Sequence, residues 1–353
     1  MRLTVFGLTL SSSWGNGHAT LWRGLGRALA DRGHKICFFE RDTPYYSKNR
    51  DLTQWADGDL VFYADWPEIK EQAKAAIESS DATIITSFCP DARPASDLLW
   101  NSAKGLKIFY DLDTPVTLAE YRKNGSVSYI PKDGLRRFDL VLSFTGGSAR
   151  QELTRLLGAR NVAALYGHVD PNVHRPSSPG KTYQANLSYL GTFAQDRQPA
   201  LERLFVEPAR ILPDKRFLIA GALYPDYFPW VPNMFFVQHL PPSEHATFFS
   251  SSELTLNVTR PSMAQSGFCP SGRLFEAAAC QTPIVSDYWP GMEEFFEPGK
   301  EILLVNETSD VIEALFSAPD RLAELGQAGR RRVLNQHTSA HRAREFEQLL
   351  NQR

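Results

Sequence analysis

Ser271, Arg273 and Glu276 stand close together at the start of a helix that the sequence predicts over 271–280. The types and order of these residues suit the binding of an anion. The first turn of a helix leaves backbone N–H groups without partners and carries the positive end of the helix dipole. A phosphate or diphosphate is held well there. Ser271 is a plausible N-cap, Gly272 adds no side chain, and Arg273 offers a forked cation. Glu276, one turn on, can accept hydrogen bonds from sugar hydroxyls. The same residues also fit a well-capped helix with an Arg–Glu pair on its surface. Arg260 lies upstream, in a polar stretch with Gln265 and Ser266 that reads as a long loop.

A second group lies near the N-terminus. Gly15 and Gly17 fall in a polar loop after the first apolar strand, and His18 opens the helix that follows. A neutral imidazole at the end of a strand can take a proton from a hydroxyl. A histidine capping the helix would look the same. Asp113 is the rival base, at the end of a later strand, Ile108–Asp111, and it fits an N-cap equally well. Asp111-Leu112-Asp113 has the spacing of a metal-binding pair. His337 and His341 are four apart but lack the glutamate of a zinc protease motif, so they read as surface residues. His34 reads as a cation at a helix C-terminus, and His168 and His174 flank a linker without assigned chemistry. Tyr45, Tyr46 and Trp66 suit loop anchoring, or stacking against an acceptor. Arg330–Arg332 reads as a solvated helix face.

These residues need a frame of strands and helices, and the chain supplies one almost throughout. Short apolar strands alternate with amphipathic helices, from Leu3–Leu8 and 18–32 to Ile302–Val305 and a last helix near 339–351. Repeated β-α-β units imply parallel sheets covered on both faces. The alternation breaks once, at 168–182, where three prolines and Gly180 make a linker. The expected organisation is an α/β chain of two doubly wound, Rossmann-like domains facing across a cleft. They span 1–170 and 171–335, and a C-terminal helix over 336–353 packs back on the first.

Composition agrees. The chain has 353 residues, 42% hydrophobic, enough for two cores, and a net charge of −2. That balance argues against a dedicated nucleic-acid partner. No apolar stretch approaches the ~20 residues of a transmembrane helix. Four cysteines without metal-site or C-x-x-C spacing fit a reducing, cytoplasmic setting.

The stretch around Ser271 resembles the donor-binding region of GT-B glycosyltransferases, in particular the group-1-like family with spore-maturation glycosyltransferase-like members. The matching features are the run Ser271-x-Arg273-Leu274-Phe275-Glu276-Ala277, the strand Pro283–Ser286, and the turns Gly291-x-Glu293-Glu294 and Gly299-x-Glu301. Gly191-Thr192-Phe193 with Asp196-Arg197 is similar to the loop opening that family's second domain. The resemblance spans most of 165–305 and is weaker in the first half. It implies transfer of a sugar from a nucleoside diphosphate sugar, as co-substrate, to an acceptor hydroxyl. Glu276 would hold the ribose, and Arg197, Ser271 and Arg273 the diphosphate, with Gly272 and Arg260 beside them. Gly15 and Gly17 would let the first loop approach the donor. His18 or Asp113 would serve the acceptor, and no metal or other cofactor is expected, because arginines supply the charge. Many retaining members carry a glutamate eight positions before the second one. Here that position is Phe268, and 261–275 holds no acid at all, which leaves retention or inversion open. A nucleotide-sugar 2-epimerase and a non-catalytic sugar-nucleotide-binding subunit are the alternative readings.

Overall fold

In the computed structural model, which describes residues 1–352, the strands fall into two separate parallel sheets. The first is built from β1 (Arg2–Gly7), β2 (Lys35–Arg41), β3 (Asp59–Tyr63), β4 (Ala82–Thr86), β5 (Leu106–Asp111), β6 (Leu140–Ser143) and β7 (Val162–Ala164). Their order is β3-β2-β1-β4-β5-β6-β7. Strand addition reverses between β1 and β4, and the loops beyond the carboxyl ends of such strands form the binding crevice of open α/β sheets. Those loops carry His18 after β1, Ser87 and Phe88 after β4, and Asp113 after β5.

Neighbouring residues along these strands point to opposite faces, so a sheet buried on both sides needs unbroken apolar runs. Phe6, Phe39, Ile85 and Phe109 enter one core layer, and Val5, Phe38, Ile84 and Ile108 enter the other. The last helix, Ser339–Asn351, belongs to this unit. Ala343, Phe346 and Leu350 share the second layer with Trp22, Leu25 and Leu29 of the helix His18–Ala30. Each large apolar side chain buried this way contributes about 1.5–3 kcal/mol. Its Glu347 takes hydrogen bonds from Arg32 and His34, so His34 is partnered by a side chain rather than left to the helix end.

The second sheet holds β8 (Ala185–Leu190), β9 (Phe217–Gly221), β10 (Met234–Gln238), β11 (Ser252–Asn257), β12 (Ile284–Ser286) and β13 (Leu303–Leu304), in the order β10-β9-β8-β11-β12-β13. Here the reversal lies between β8 and β11. The chain accordingly divides into Met1–Tyr166 with the segment from Ser339 onward, and Gly167–Thr338. The divisions expected from the sequence lie after 170 and 335; Arg353 lies outside the described residues.

Three local expectations are corrected. The stretch after Arg260 is not all loop: Pro261–Ser266 forms a short helix with proline in its first turn, where a missing N–H costs nothing. His337 is not a surface residue. It is buried against the rings of Phe275 and Phe295, at 5.1 and 5.5 Å between centroids. Arg330 and Arg332 are tied down, donating to the Ala279 carbonyl and to Glu301. Among the described residues no helix is long and apolar enough to cross a membrane.

Candidate functional site

In the second unit, the helix Gly272–Ala279 starts beyond β11, with Ser271 in the N-cap position. The Ser271 side chain makes no capping hydrogen bond, and a Cβ at Gly272 would meet nothing within 4 Å. The Leu274 N–H already donates to the Ser271 carbonyl at 3.0 Å, so the open part of the first turn is the Gly272 end, with the Ser271 hydroxyl unused for capping. Arg273 donates from Nη1 to Oδ1 of Asn257 at 2.9 Å, which swings the guanidinium under the loop after β8. It lies over the ring of Tyr189, 5.1 Å from the centroid. Gly191 makes the room: a Cβ there would come 2.8 Å from Nη2 of Arg273.

Arg197 donates to the Thr192 carbonyl in that same loop, and the Nε atoms of Arg197 and Arg273 are both buried without partners. Burial lowers the Arg273 pKa, and repulsion from Arg197 adds to that effect, against the pull of Tyr189. Two neighbouring cations with unsatisfied donors, beside the start of a helix, are an arrangement that can hold a doubly charged anion. Arg260 stands at its edge and is paired with Asp196 at 2.8 Å.

Glu276 does not form the surface pair with Arg273 that one reading allowed. Its carboxylate faces two histidines, with Oε1 4.0 Å from Nε2 of His174 and Oε2 3.4 Å from Nδ1 of His245. Nε2 of His245 points at the Leu240 carbonyl, 3.3 Å away. Burial alone would raise the Glu276 carboxyl; His174, His245 and Arg273 outweigh it and hold the group at about 2. Burial lowers the His174 pKa. The donor atoms of His174, His245 and Glu276 lie within 4.8 Å of one another, a spacing from which imidazole and carboxylate can close on a metal ion.

In the first unit, Nε2 of His18 lies 2.8 Å from Oδ2 of Asp113. The two residues that the sequence offered as rival bases are therefore partners. Asp113 occupies the N-cap position of the helix Thr114–Asn124 but makes no capping bond, and Gly17 rather than His18 is the N-cap of the first helix. Ser87 Oγ donates to the same Asp113 oxygen at 3.1 Å. With Nε2–H given to Asp113, Nδ1 of His18 carries the lone pair, and this atom is buried without a partner. Beneath the pair lies Asp111, fully buried and pushed up to about 7 by burial and by the Asp113 charge.

The loop that presents His18 is fixed from below. Glu40 is fully buried and accepts from the Leu10 and Ser11 N–H groups and from the Thr9 and Ser11 hydroxyls. Asp51 accepts from the Ser13 N–H and from Arg23. Gly15 takes φ +66°, with the Tyr45 hydroxyl beside it; Gly17 has open space around it.

The comparisons with known proteins bear on both halves. Residues 197–348 match the family described as "Glycosyl transferase-like". No curated protein matches the chain by sequence. Solved structures match over nearly the whole length. Sucrose-phosphate synthase from Thermosynechococcus elongatus has 16% identity and a TM-score of 0.71, covering 99% of this chain and 98% of that one. Anabaena HepE in complex with UDP-glucose has 11% identity and a TM-score of 0.69, covering 100% of both. An alpha-glucosyltransferase in complex with UDP-glucose and DNA has 13% identity and a TM-score of 0.74, covering 99% of both.

Residues 197–348 are glycosyl transferase-like, and the chain as a whole has the GT-B fold. At these identities the structural likeness carries the fold, while the family match carries the kind of domain. Within the glycosyl transferase-like stretch, Arg197, Ser271, Gly272 and Arg273 come together in the second unit. Glu276 sits on the same helix, and Arg260 flanks them. His18 and Asp113 meet in the first unit, with Gly15 and Gly17 in the supporting loop. Sequence reasoning missed Glu40, Ser87, Asn257 and His245, and it gave His174 no task. Nothing local marks them, because each meets its partner only through the fold.

Proposed function

We propose that this chain transfers a sugar from a nucleoside diphosphate sugar to an acceptor hydroxyl, with the donor bound by the second unit and the acceptor by the first. The observation that carries this reading is the pair of buried, unsatisfied guanidinium Nε atoms, Arg197 and Arg273, beside the open start of the Gly272–Ala279 helix. A diphosphate supplies the charge those donors lack. Glu276, ionised and held by His174 and His245, suits the two hydroxyls of a ribose.

The chemistry follows from these roles. Nδ1 of His18 accepts the proton of the acceptor hydroxyl, and Asp113 orients the ring and stabilises the imidazolium that forms. The acceptor oxygen bonds to the anomeric carbon as the bond from that carbon to the diphosphate oxygen breaks. The electron pair goes to the diphosphate, where Arg197, Arg273 and the helix N–H groups stabilise it. Because arginines can carry that charge, we infer that turnover needs no metal.

The test is calorimetric titration with UDP and UDP-glucose, UDP being the nucleotide bound in the similar structures. Binding that survives EDTA and is lost in Arg273→Ala supports the reading. Equal binding by Arg273→Ala and wild type would overturn it. Formation of an isomerised nucleotide sugar from donor alone would instead make the chain an epimerase.

A further inference from the structure

Phe88 sits in the turn after β4, at the reversal point of the first sheet, and three features set it apart. Its backbone is in the left-handed region, with φ +58°. That conformation is costly for a bulky L-residue and suits glycine or asparagine. The residue is also 37% exposed, so burial compensates only in part. Finally, the ring stands edge-on to His18 at 6.3 Å between centroids and against Tyr129 at 4.8 Å. Strain kept at an exposed aromatic residue, beside a partnerless imidazole nitrogen, is the kind that clusters at ligand clamps.

The polar surroundings narrow the ligand. The arginines of the neighbouring loops are already engaged: Arg23 with Asp51, Arg41 with Asp65 and Asp91, and Arg50 with Asp42. A polyanion would find these cations neutralised. An aromatic face instead suits a ring with an apolar C–H side and a hydroxyl edge, since the face of the π system is negative and the C–H groups slightly positive.

The geometry points to Phe88 as the acceptor platform, on which a pyranose ring of a neutral saccharide stacks so that one hydroxyl reaches Nδ1 of His18. This rests on the reading of His18 as the acceptor-side base and names the acceptor class.

The experiment is saturation-transfer NMR on the full chain, without nucleotide, using a panel of neutral trisaccharides with maltotriose and cellotriose among them, and a single-stranded DNA 13-mer as the polyanion control. The expected result is saturation of the C–H protons of one pyranose face in wild type and in Phe88→Tyr, and its loss by at least tenfold in Phe88→Ala and Phe88→Asn. Asparagine tolerates the left-handed backbone, so the Phe88→Asn variant should fold with a Tm no lower than wild type. A purely structural Phe88 would lower that Tm and leave saccharide contact intact. No saturation of any saccharide, equal saturation in Phe88→Ala, or contact with the DNA alone would overturn the proposal. UDP titration of the same samples reads the donor site of the second unit separately. Absence of UDP binding in wild type would therefore count against the transferase reading, and absence of saccharide contact in wild type against Phe88.

Discussion

Nε2 of His18 and Oδ2 of Asp113 are 2.8 Å apart, although 95 positions separate them in the chain. The contact makes one functional unit of two residues that singly fit helix ends. If the unit is the acceptor-side base, His18→Ala should lower kcat by ~10²–10⁴-fold. Asp113→Asn should do the same by misorienting the ring, and the double variant should be little worse than either single one, because the residues act together. UDP affinity should stay within twofold in all three. A base of this kind assists attack opposite the leaving group, so proton NMR of the product should find the anomeric configuration inverted.

Glu276 is the charged centre of a buried group with His174 and His245. Glu276→Gln should weaken UDP and uridine alike, by roughly 10–150-fold, since a charged hydrogen-bond acceptor is worth roughly 1.5–3 kcal/mol. Its pH signature has a definite sign. The folded carboxyl is held at about 2, below the ~4.3 of an unfolded glutamate. Its stabilising contribution is therefore complete above the unfolded value and is lost as pH falls towards about 2. Urea unfolding at pH 5 and pH 3 should find the gap between wild type and Glu276→Gln smaller at pH 3.

Asp111 has the opposite sign. Burial, with repulsion from Asp113, pushes it up to about 7, whereas an unfolded aspartate ionises near ~3.9. Its unfavourable effect on stability grows as pH rises from the unfolded value to about 7 and then levels off. Asn at this position can still accept from the Thr117 hydroxyl and the Asp113 N–H, as Asp111 Oδ1 does now. Asp111→Asn should therefore gain stability relative to wild type between pH 4.5 and pH 8 in urea titrations. A constant difference across that range would reject the assignment.

Glu40 holds the loop that carries His18, through four hydrogen bonds to its fully buried carboxylate. Glu40→Gln replaces one acceptor oxygen with a donor amide, so two N–H or O–H groups lose their partner. A destabilisation of ~2–6 kcal/mol is expected, from an unsatisfied-group cost of about 1–3 kcal/mol for each of the two. Turnover should fall as well, while UDP binding by the second unit remains. Thermal unfolding and UDP titration of the one variant separate these effects.

What the sequence determined by itself was the frame. Runs such as Leu3–Gly7 and Phe217–Gly221 are apolar on both faces, and helical periodicity between them leaves a doubly wound parallel architecture as the consistent solution. The helix proposed to bind the donor was also legible, because Ser271, Arg273 and Glu276 are neighbours in the chain and share its start. Tertiary structure decided the partnerships. A parallel sheet joins strands through long crossovers, so the ends of β1, β4 and β5 meet only once the sheet has formed. That brings Asp113 to His18 and Ser87 to Asp113, and gives Phe88 its place against the His18 ring. Likewise the pairing of β8 with β11 brings Asn257 beneath the loop of Gly191, where it turns Arg273 inward. The folding of α/β crossovers, and not any local pattern, carries His174 and His245 to the two oxygens of Glu276. Side-chain chemistry is written residue by residue, but hydrogen bonds act over about 3 Å, and only the sheet order sets which residues come that close.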